Sequence, residues 1–308
     1  MESAIIKTLA YFDIFNYPLK FDELKRFLWS MKVINDEVFK KNIEKLTADK
    51  KIETKDSYYF LPGRSETIAL RLEANRQSEQ KMPIAIRAAK LIRSVPFVRS
   101  IYICNSVGFG QASADSDIDF FIITATGRIW IARLFTNLIL RLFRLRTYGG
   151  HSAGRICLSF YLDQKKLNLA SLRISEPDIY LAYWLFNLSP LYDPSRYYES
   201  LIGANSWVEK LLPHAFVNNF TPAVGETRWG KIWKAIWEKM WGGVYGAMVE
   251  KQARALQWQK FKLSLKNASE RRDQSVVIDS SVIKLHENDR REYYQKIWLE
   301  KIIALNLK

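Results

Sequence analysis

The sequence contains only two cysteines, Cys104 and Cys157, among 308 residues. So few cysteines exclude a disulfide scaffold, and since both lie in apolar runs we interpret them as reduced core residues rather than as a disulfide or a metal pair. No cysteine or histidine has the spacing of a zinc site. The three histidines are therefore interpreted as surface or core residues: His151, His214 and His286.

Long uncharged apolar runs are also absent. The nearest one, residues 129–143, is interrupted by Arg133 and Arg141, whereas a membrane span needs about 18 such residues. The first four residues lack the basic segment and apolar run of a secretory leader. We therefore expect a cytoplasmic protein without a stable membrane span.

Acidic residues are in the minority, since 47 lysines and arginines stand against 32 aspartates and glutamates, a net charge of +15. This excess favours an anionic partner such as a nucleotide, a nucleic acid or an anionic lipid. The apolar share of 48% and the charged share of 26% are ordinary for a globular protein and exclude a disordered or collagen-like chain. The length predicts two or three compact units.

Residues 1–63 have the pattern of a winged-helix-like module. Apolar residues recur at helical spacing in three segments, the last of them 36–48 with Asn35 as its N-cap, and residues 51–61 form a hairpin pattern. Eleven basic and ten acidic residues leave this module almost neutral. Because DNA binding depends on phosphate neutralisation, we favour docking against the rest of the chain or a partner over DNA binding.

The remainder divides into three predicted parts. Residues 64–95 form a polar connecting helix, split near Pro83. Residues 96–195 form an α+β domain, and residues 196–308 form a helical C-terminal region. Within the α+β domain, β-branched and aromatic content predicts three strands separated by small-residue and helical segments, at residues 97–104, 118–124 and 156–162.

Two carboxylates stand at the start of the second predicted strand. Asp117 and Asp119 are two residues apart, so the pleat directs both side chains to the same face. At about 6 Å and a dielectric constant near 20, their repulsion is roughly 3 kcal/mol. A hard divalent cation compensates such repulsion, and Mg²⁺ accepts one or two carboxylates together with phosphate oxygens. The alternative is a solvated strand end or a turn with a capping aspartate.

A serine turn precedes this pair. Asn105 and Ser106 end the first predicted strand and are followed by a small-residue segment containing Gly108 and Gly110. Such a turn offers backbone N–H groups and a hydroxyl to a phosphate. Ten residues, 107–116, allow the chain to return and place the turn beside the carboxylates. A dinucleotide fingerprint does not fit, because Ser113 occupies the position of its third glycine.

The segment from Ser106 to Asp119 resembles the signature of the DNA polymerase β-type nucleotidyltransferase superfamily, with Asn105 in place of the usual glycine. The wider chain is similar to bacterial nucleotidyltransferase-domain proteins with an N-terminal winged-helix-like module. The resemblance implies a small mixed sheet flanked by helices, and transfer of a nucleoside monophosphate from an NTP to an acceptor. The acceptor, whether nucleic acid, protein or small molecule, stays open.

The resemblance also implies roles for individual residues. Asp117 and Asp119 would hold Mg²⁺ or Mn²⁺ and act in catalysis, with Asp163 as the candidate for a third carboxylate on a neighbouring strand. The implied nucleotide-binding residues are Asn105, Ser106, Gly108, Ser116 and Arg128. If a third carboxylate is absent, a weak enzyme or a nucleotide-binding regulatory protein becomes the alternative.

Two further patterns bear on function. Residues 128–173 contain nine basic residues and one acidic residue, which either steer a polyanion or form a solvated helix face. Tryptophans recur every four residues from Trp229 to Trp241 and form a broad apolar stripe. We interpret this stripe as a core helix, and a weak contact with an anionic membrane surface is the alternative.

Overall fold

The computed structural model describes residues 1–215, 221–270, 274–286 and 289–307. Over these residues the chain is a mixed α+β protein with a three-stranded and a six-stranded sheet. This confirms the predicted fold class. No helix in the described ranges combines the length and apolar character that crossing a membrane requires.

The N-terminal module has the predicted helices and hairpin. Its elements are α1 (Glu2–Asp13), β1 (Leu19–Lys20), α2 (Phe21–Arg26), α3 (Asp36–Ala48), β2 (Glu53–Lys55) and β3 (Tyr58–Phe60). The strands form an antiparallel sheet in the order β1-β3-β2. Asn35 caps α3 because its side chain accepts a hydrogen bond from the amide of Glu37 at 2.7 Å.

This module shares a hydrophobic core with the rest of the chain. The ring of Tyr11 in α1 stacks on Tyr183 at a centroid distance of 4.5 Å. Trp29 packs edge-on against Trp298 near the C-terminus at 5.7 Å. The module is therefore docked on its own chain.

A single long helix, α4 (Thr67–Ile92), connects the module to the central sheet. The predicted split at Pro83 is wrong, because the helix continues through the proline. Pro83 and Glu79 both lie on the exposed side of α4. The carbonyl of Glu79, which loses its donor to the proline, therefore lies on the side of the helix that water reaches.

The central part of the chain contains β4 (Val98–Cys104), α5 (Asn105–Gly108), β5 (Ile118–Thr124), α6 (Ile129–Leu142), β6 (Ile156–Asp163), α7 (Ile179–Phe186), β7 (Ser189–Tyr192) and α8 (Tyr197–Ala204). Together with β8 (Val276–Ile278) and β9 (Val282–Leu285), its strands form the central sheet in the order β7-β4-β5-β6-β9-β8. Strands β5 and β6 are parallel, and every other pair is antiparallel. Alternate residues face two cores: Tyr102 and Phe121 face one, and Ile101 and Phe120 face the other.

The C-terminal region is mainly helical, as predicted, but it also returns to the sheet. Its elements are α9 (Arg228–Met240), α10 (Val244–Lys260), α11 (Leu263–Glu270), β8 (Val276–Ile278), β9 (Val282–Leu285) and α12 (Arg291–Ala304). Strand β9 pairs with β6 at Phe160, Tyr161 and Leu162. This hairpin, which the sequence analysis did not predict, completes the sheet beside the carboxylates.

The tryptophan stripe of α9 does not face the core. Trp229 is 80% exposed and Trp233 is 54% exposed, while Lys234 is the buried residue of this helix. The prediction of a core helix is therefore wrong for most of the stripe. Trp237 and Trp241 are half-buried and contact each other at a ring-centroid distance of 4.6 Å.

Candidate active site

Three metal-ligating side chains meet at the beginning of β5. The carboxylate oxygens of Asp117 and Asp119 and the Sγ atom of Cys157 all lie within 4.8 Å of one another. Cys157 reaches this position because β6 runs parallel to β5 and Cys157 pairs in register with Asp119. The predicted clustering of the two aspartates is therefore present, with a thiol beside them.

The surroundings of the two carboxylates disfavour their charged form. Burial and, after it, the charge of Asp117 raise the pKa of Asp119 to about 6, against hydrogen bonds from Asn105, Cys157 and Ser159. Burial also raises the pKa of Asp117, and hydrogen bonds from Cys157 and the backbone, followed by the charge of Arg146, only partly oppose this. Across the described ranges, no lysine or arginine forms an ion pair with either carboxylate. Two half-buried carboxylates without a cationic partner are a set that fits a divalent cation.

Asn105 connects the carboxylates to the serine turn. Its φ of +54° lies in the left-handed region, which glycine favours and which asparagine tolerates better than most residues. The side-chain oxygen accepts a hydrogen bond from Trp184 Nε1 at 3.0 Å, so that the amide group is oriented toward Asp119. Asparagine therefore supplies the conformation of a glycine together with a polar contact to the carboxylate.

The loop from Ser106 to Asp117 is held by helix α4. The amide of Ala112 donates to Ser78 Oγ at 3.1 Å, and Lys81 Nζ donates to the carbonyl of Ala114 at 3.0 Å. Gly110 has a φ of +70°, and a side chain there would meet Asn75 at 2.9 Å. These contacts return the chain from the serine turn to the carboxylates, as the spacing of ten residues predicts.

The carboxylates lie in a cavity of about 710 Å³. Five predicted site residues line it: Asn105, Ser106, Ser116, Asp117 and Asp119. Aromatic side chains form much of the remaining wall. Phe160 stacks on Trp184 at 5.5 Å, and Tyr180 stacks on Tyr294 at 5.7 Å. An aromatic wall with a few charged groups is typical of a pocket that binds a small molecule.

A basic wall is formed by Lys284 in β9, by Arg291 at the start of α12 and by Arg290 just before that helix. Lys284 and Arg291 are buried there, and Arg290 is exposed at the rim. Lys284 Nζ and Arg291 Nη2 bind Asp289 at 2.8 Å and 2.7 Å. Burial lowers the pKa of Lys284 to about 8. Asp289, together with Asp178, which binds Arg291 Nη1 at 3.0 Å, neutralises the two buried cations, and Arg290 is an exposed cation at the edge of the wall.

His286 also lines the cavity, next to this basic wall. Burial, followed by the charge of Lys284, lowers the pKa of His286 to about 4. The imidazole is therefore neutral near neutral pH and can donate or accept a hydrogen bond.

Three predicted residues lie elsewhere. Asp163 is at the opposite end of β6, paired with Thr124, which is about 17 Å along the strand from Asp119. There its carboxylate accepts hydrogen bonds from the amides of Gly127 at 2.7 Å and Lys165 at 2.8 Å. Asp163 therefore cannot share a metal ion with Asp117. Cys157 and Ser159 occupy the stretch of β6 where a third carboxylate would be needed.

Arg128 and Gly108 do not reach the cavity either. Arg128 donates hydrogen bonds to the carbonyls of Trp241 at 3.0 Å and Gly242 at 2.6 Å, and therefore stabilises the turn between α9 and α10. Gly108 is packed against the backbone, where a side chain would meet the carbonyls of Ile103 at 3.2 Å and Asn187 at 3.3 Å. Both residues have structural roles.

Several residues of the site were missed by the sequence analysis. Cys157, which lies beside the carboxylates, and His286, which lines the cavity, were interpreted as core or surface residues, and the basic wall formed by Lys284, Arg290 and Arg291 was not predicted. The sequence does contain a signal for the hairpin of β8 and β9, because Val276–Ile278 and residues 282–285 are rich in β-branched residues around an Asp-Ser-Ser turn. The pairing of that hairpin with β6, however, is a long-range contact that local patterns do not give.

Comparison with known proteins provides no assignment. No protein-family model matches the chain, and neither curated proteins nor solved structures give a significant match.

Proposed function

We propose that the protein binds a nucleoside triphosphate with a divalent cation in this cavity and transfers the nucleoside monophosphate to an acceptor. The observation that carries the proposal is the meeting of the Asp117 and Asp119 carboxylates with the Ser106 turn in one aromatic-lined cavity. The resemblance to the polymerase β-type nucleotidyltransferases agrees with this arrangement.

Each part of the cavity suits one part of such a substrate. The carboxylates would hold Mg²⁺ or Mn²⁺, which supplies charge neutralisation on the phosphates. The Ser106 hydroxyl, in the first turn of α5 where amides lack partners within the helix, would hold phosphate oxygens. The aromatic wall, including Tyr180 and Tyr294, offers a stacking surface for the base.

The proposed reaction is a substitution at the α-phosphorus. An acceptor oxygen forms a bond to that phosphorus, the bond to the bridging oxygen breaks, and pyrophosphate leaves. The proton of an acceptor hydroxyl passes to water or to a carboxylate oxygen in the cavity. Ser106 and the carboxylates position the phosphates for this displacement.

A second candidate is a nucleotide-binding protein without turnover. It is favoured by the position of Asp163, which leaves Cys157 and Ser159 where a third carboxylate would assist the attacking group. Losing general-base assistance costs on the order of 10² to 10⁴ in rate. This candidate predicts metal-dependent nucleotide binding without release of pyrophosphate.

The experiment that tests the proposal incubates the protein with each labelled NTP, Mg²⁺ or Mn²⁺, and a cell extract. We expect transfer of label, and loss of that transfer in the Asp117→Ala, Asp119→Ala variant. The matched control is Asp115→Asn, which removes a charge from an exposed residue of the same loop. Transfer that is unchanged in the double variant would refute the proposal, and binding without transfer would select the second candidate.

A further inference from the structure

Helix α9 packs on the protein through its polar side. Lys234 is buried and donates hydrogen bonds to the carbonyl of Arg93 at 3.2 Å and to the hydroxyl of Tyr192 at 3.3 Å. Glu238 binds Arg99 at 2.7 Å and accepts from the amide of Phe97 at 2.6 Å. The helix is therefore inverted relative to an ordinary amphipathic helix, whose apolar side is buried.

The apolar side of α9 faces away from the protein. Trp229, Trp233, Ile236 and Met240 recur at intervals of three and four residues, and each is at least half exposed. After the turn that ends α9, Val244 at the start of α10 is 84% exposed. So many large apolar side chains on one helix exceed the scattered exposure of ordinary surfaces.

The exposed surface extends beyond α9. Trp241 stacks on Phe135 of α6 at 5.2 Å. Leu138 and Leu142 follow on the same side of α6, and both are exposed. We call this surface the apolar face, and it comprises Trp229, Ile232, Trp233, Ile236, Met240, Val244, Tyr245, Met248, Leu138 and Leu142.

The charges around the apolar face are almost all positive. Residues 227–262 contain eight basic and two acidic residues. Both acidic side chains bind other residues of the protein and are not free on the apolar face. Glu238 pairs with Arg99, and Glu250 accepts hydrogen bonds from the amides of Trp130 at 2.8 Å and Ile131 at 2.9 Å. Lys231 pairs with Glu226 just before the helix. The exposed basic residues are Arg228, Lys231, Lys239, Lys251, Arg254, Lys260 and Lys262.

We infer that the apolar face binds an anionic lipid surface. Tryptophan and aliphatic side chains enter the headgroup and acyl boundary, and surrounding lysines and arginines attract anionic headgroups. The charge pattern favours a lipid surface over other partners, because anionic lipids bind both the exposed tryptophans and the uncompensated positive charge.

The position of the face leaves the cavity open. Glu238 contacts the beginning of β4 at Phe97, whereas the carboxylate site lies beyond the end of that strand at Asn105. Strand β4 has seven residues and thus spans about 20 Å. Arg128 stabilises the turn that presents Val244. A surface-bound protein could therefore still admit substrate at the opposite end of the sheet.

Flotation of the full chain with vesicles tests this inference. We expect binding to vesicles of phosphatidylcholine and phosphatidylglycerol at low salt, and weaker binding to phosphatidylcholine alone or at high salt. The Trp229→Gln, Trp233→Gln, Ile236→Gln variant should lose about tenfold or more in partitioning. Circular dichroism verifies that the variant is folded, since all three side chains are exposed.

The control is the Met31→Ser, Val33→Ser variant, which removes comparably exposed apolar side chains before α3 and should bind vesicles as the wild type does. Equal vesicle binding by the wild type and the triple variant would overturn the inference. So would failure of the wild type to bind anionic vesicles, including the case in which light scattering shows that the face joins two copies of the chain.

Discussion

Replacing Asp119 with Asn removes a negative charge from a half-buried position that disfavours it. In the metal-free protein the pKa of Asp119 is raised from 3.8 to about 6. At about 1.36 kcal/mol for each pH unit, this difference corresponds to about 3 kcal/mol. We therefore predict that Asp119→Asn increases the free energy of unfolding of the metal-free protein by about 3 kcal/mol at neutral pH.

The pH dependence of the stability difference shows whether the charge of Asp119 is its cause. A carboxylate whose pKa is raised by folding is neutral in both states below pH about 4, so there the two proteins should have similar stability. Between pH about 4 and about 6 the wild type loses stability relative to the variant, and above pH about 6 the difference is constant. The repulsion between Asp117 and Asp119 is already part of this difference, because the charge of Asp117 is the second cause of the raised pKa of Asp119.

Urea denaturation in the presence of a chelator measures the difference over this pH range. Asp115→Asn is the matched control, since it removes the same charge from an exposed position and should change stability little. Mg²⁺ should then stabilise the wild type and not Asp119→Asn. A difference between wild type and variant that does not vary with pH, or a variant that is less stable at neutral pH, would refute the reasoning.

Three further predictions follow from the contacts of the site. Cys157→Asp should supply the missing third carboxylate and increase pyrophosphate release by on the order of 10²; an unchanged or lower rate contradicts this. Trp184→Phe removes the hydrogen bond to Asn105 and should weaken nucleotide binding about fivefold in calorimetry, and an unchanged affinity would show that Asn105 needs no such orientation. Arg128→Ala should weaken vesicle binding but leave nucleotide affinity unchanged, and a loss of nucleotide affinity would place Arg128 in the site after all.

Local patterns in the sequence predicted much of the fold and the centre of the site. The strands at 97–104, 118–124 and 156–162 were predicted within one or two residues, because buried strands concentrate β-branched and aromatic side chains. The period of two also places Asp117 and Asp119 on one face. Both inferences depend on neighbours in the chain, which is why they needed no tertiary information.

The remaining features depend on contacts between distant segments. Cys157 joins the carboxylates only through the register of β5 and β6, and that register also carries Asp163 to the opposite end of the sheet. Likewise, the apolar stripe of α9 predicts that this stripe is buried. Instead Lys234 binds Tyr192 of β7 and Glu238 binds Arg99 of β4, so the polar side of α9 faces the sheet. Periodicity gives the two sides of a helix and does not determine which of them is buried.

The central claim is that Asp117 and Asp119 share a divalent cation with a triphosphate held at Ser106. Calorimetric titration with a non-hydrolysable NTP analogue tests it most directly, with Mg²⁺ and with a chelator. We predict binding that requires Mg²⁺ and is lost in the Asp117→Asn, Asp119→Asn variant but retained in Asp115→Asn. Equal binding in the chelator, or undiminished Mg²⁺-dependent binding by the double variant, would contradict the account.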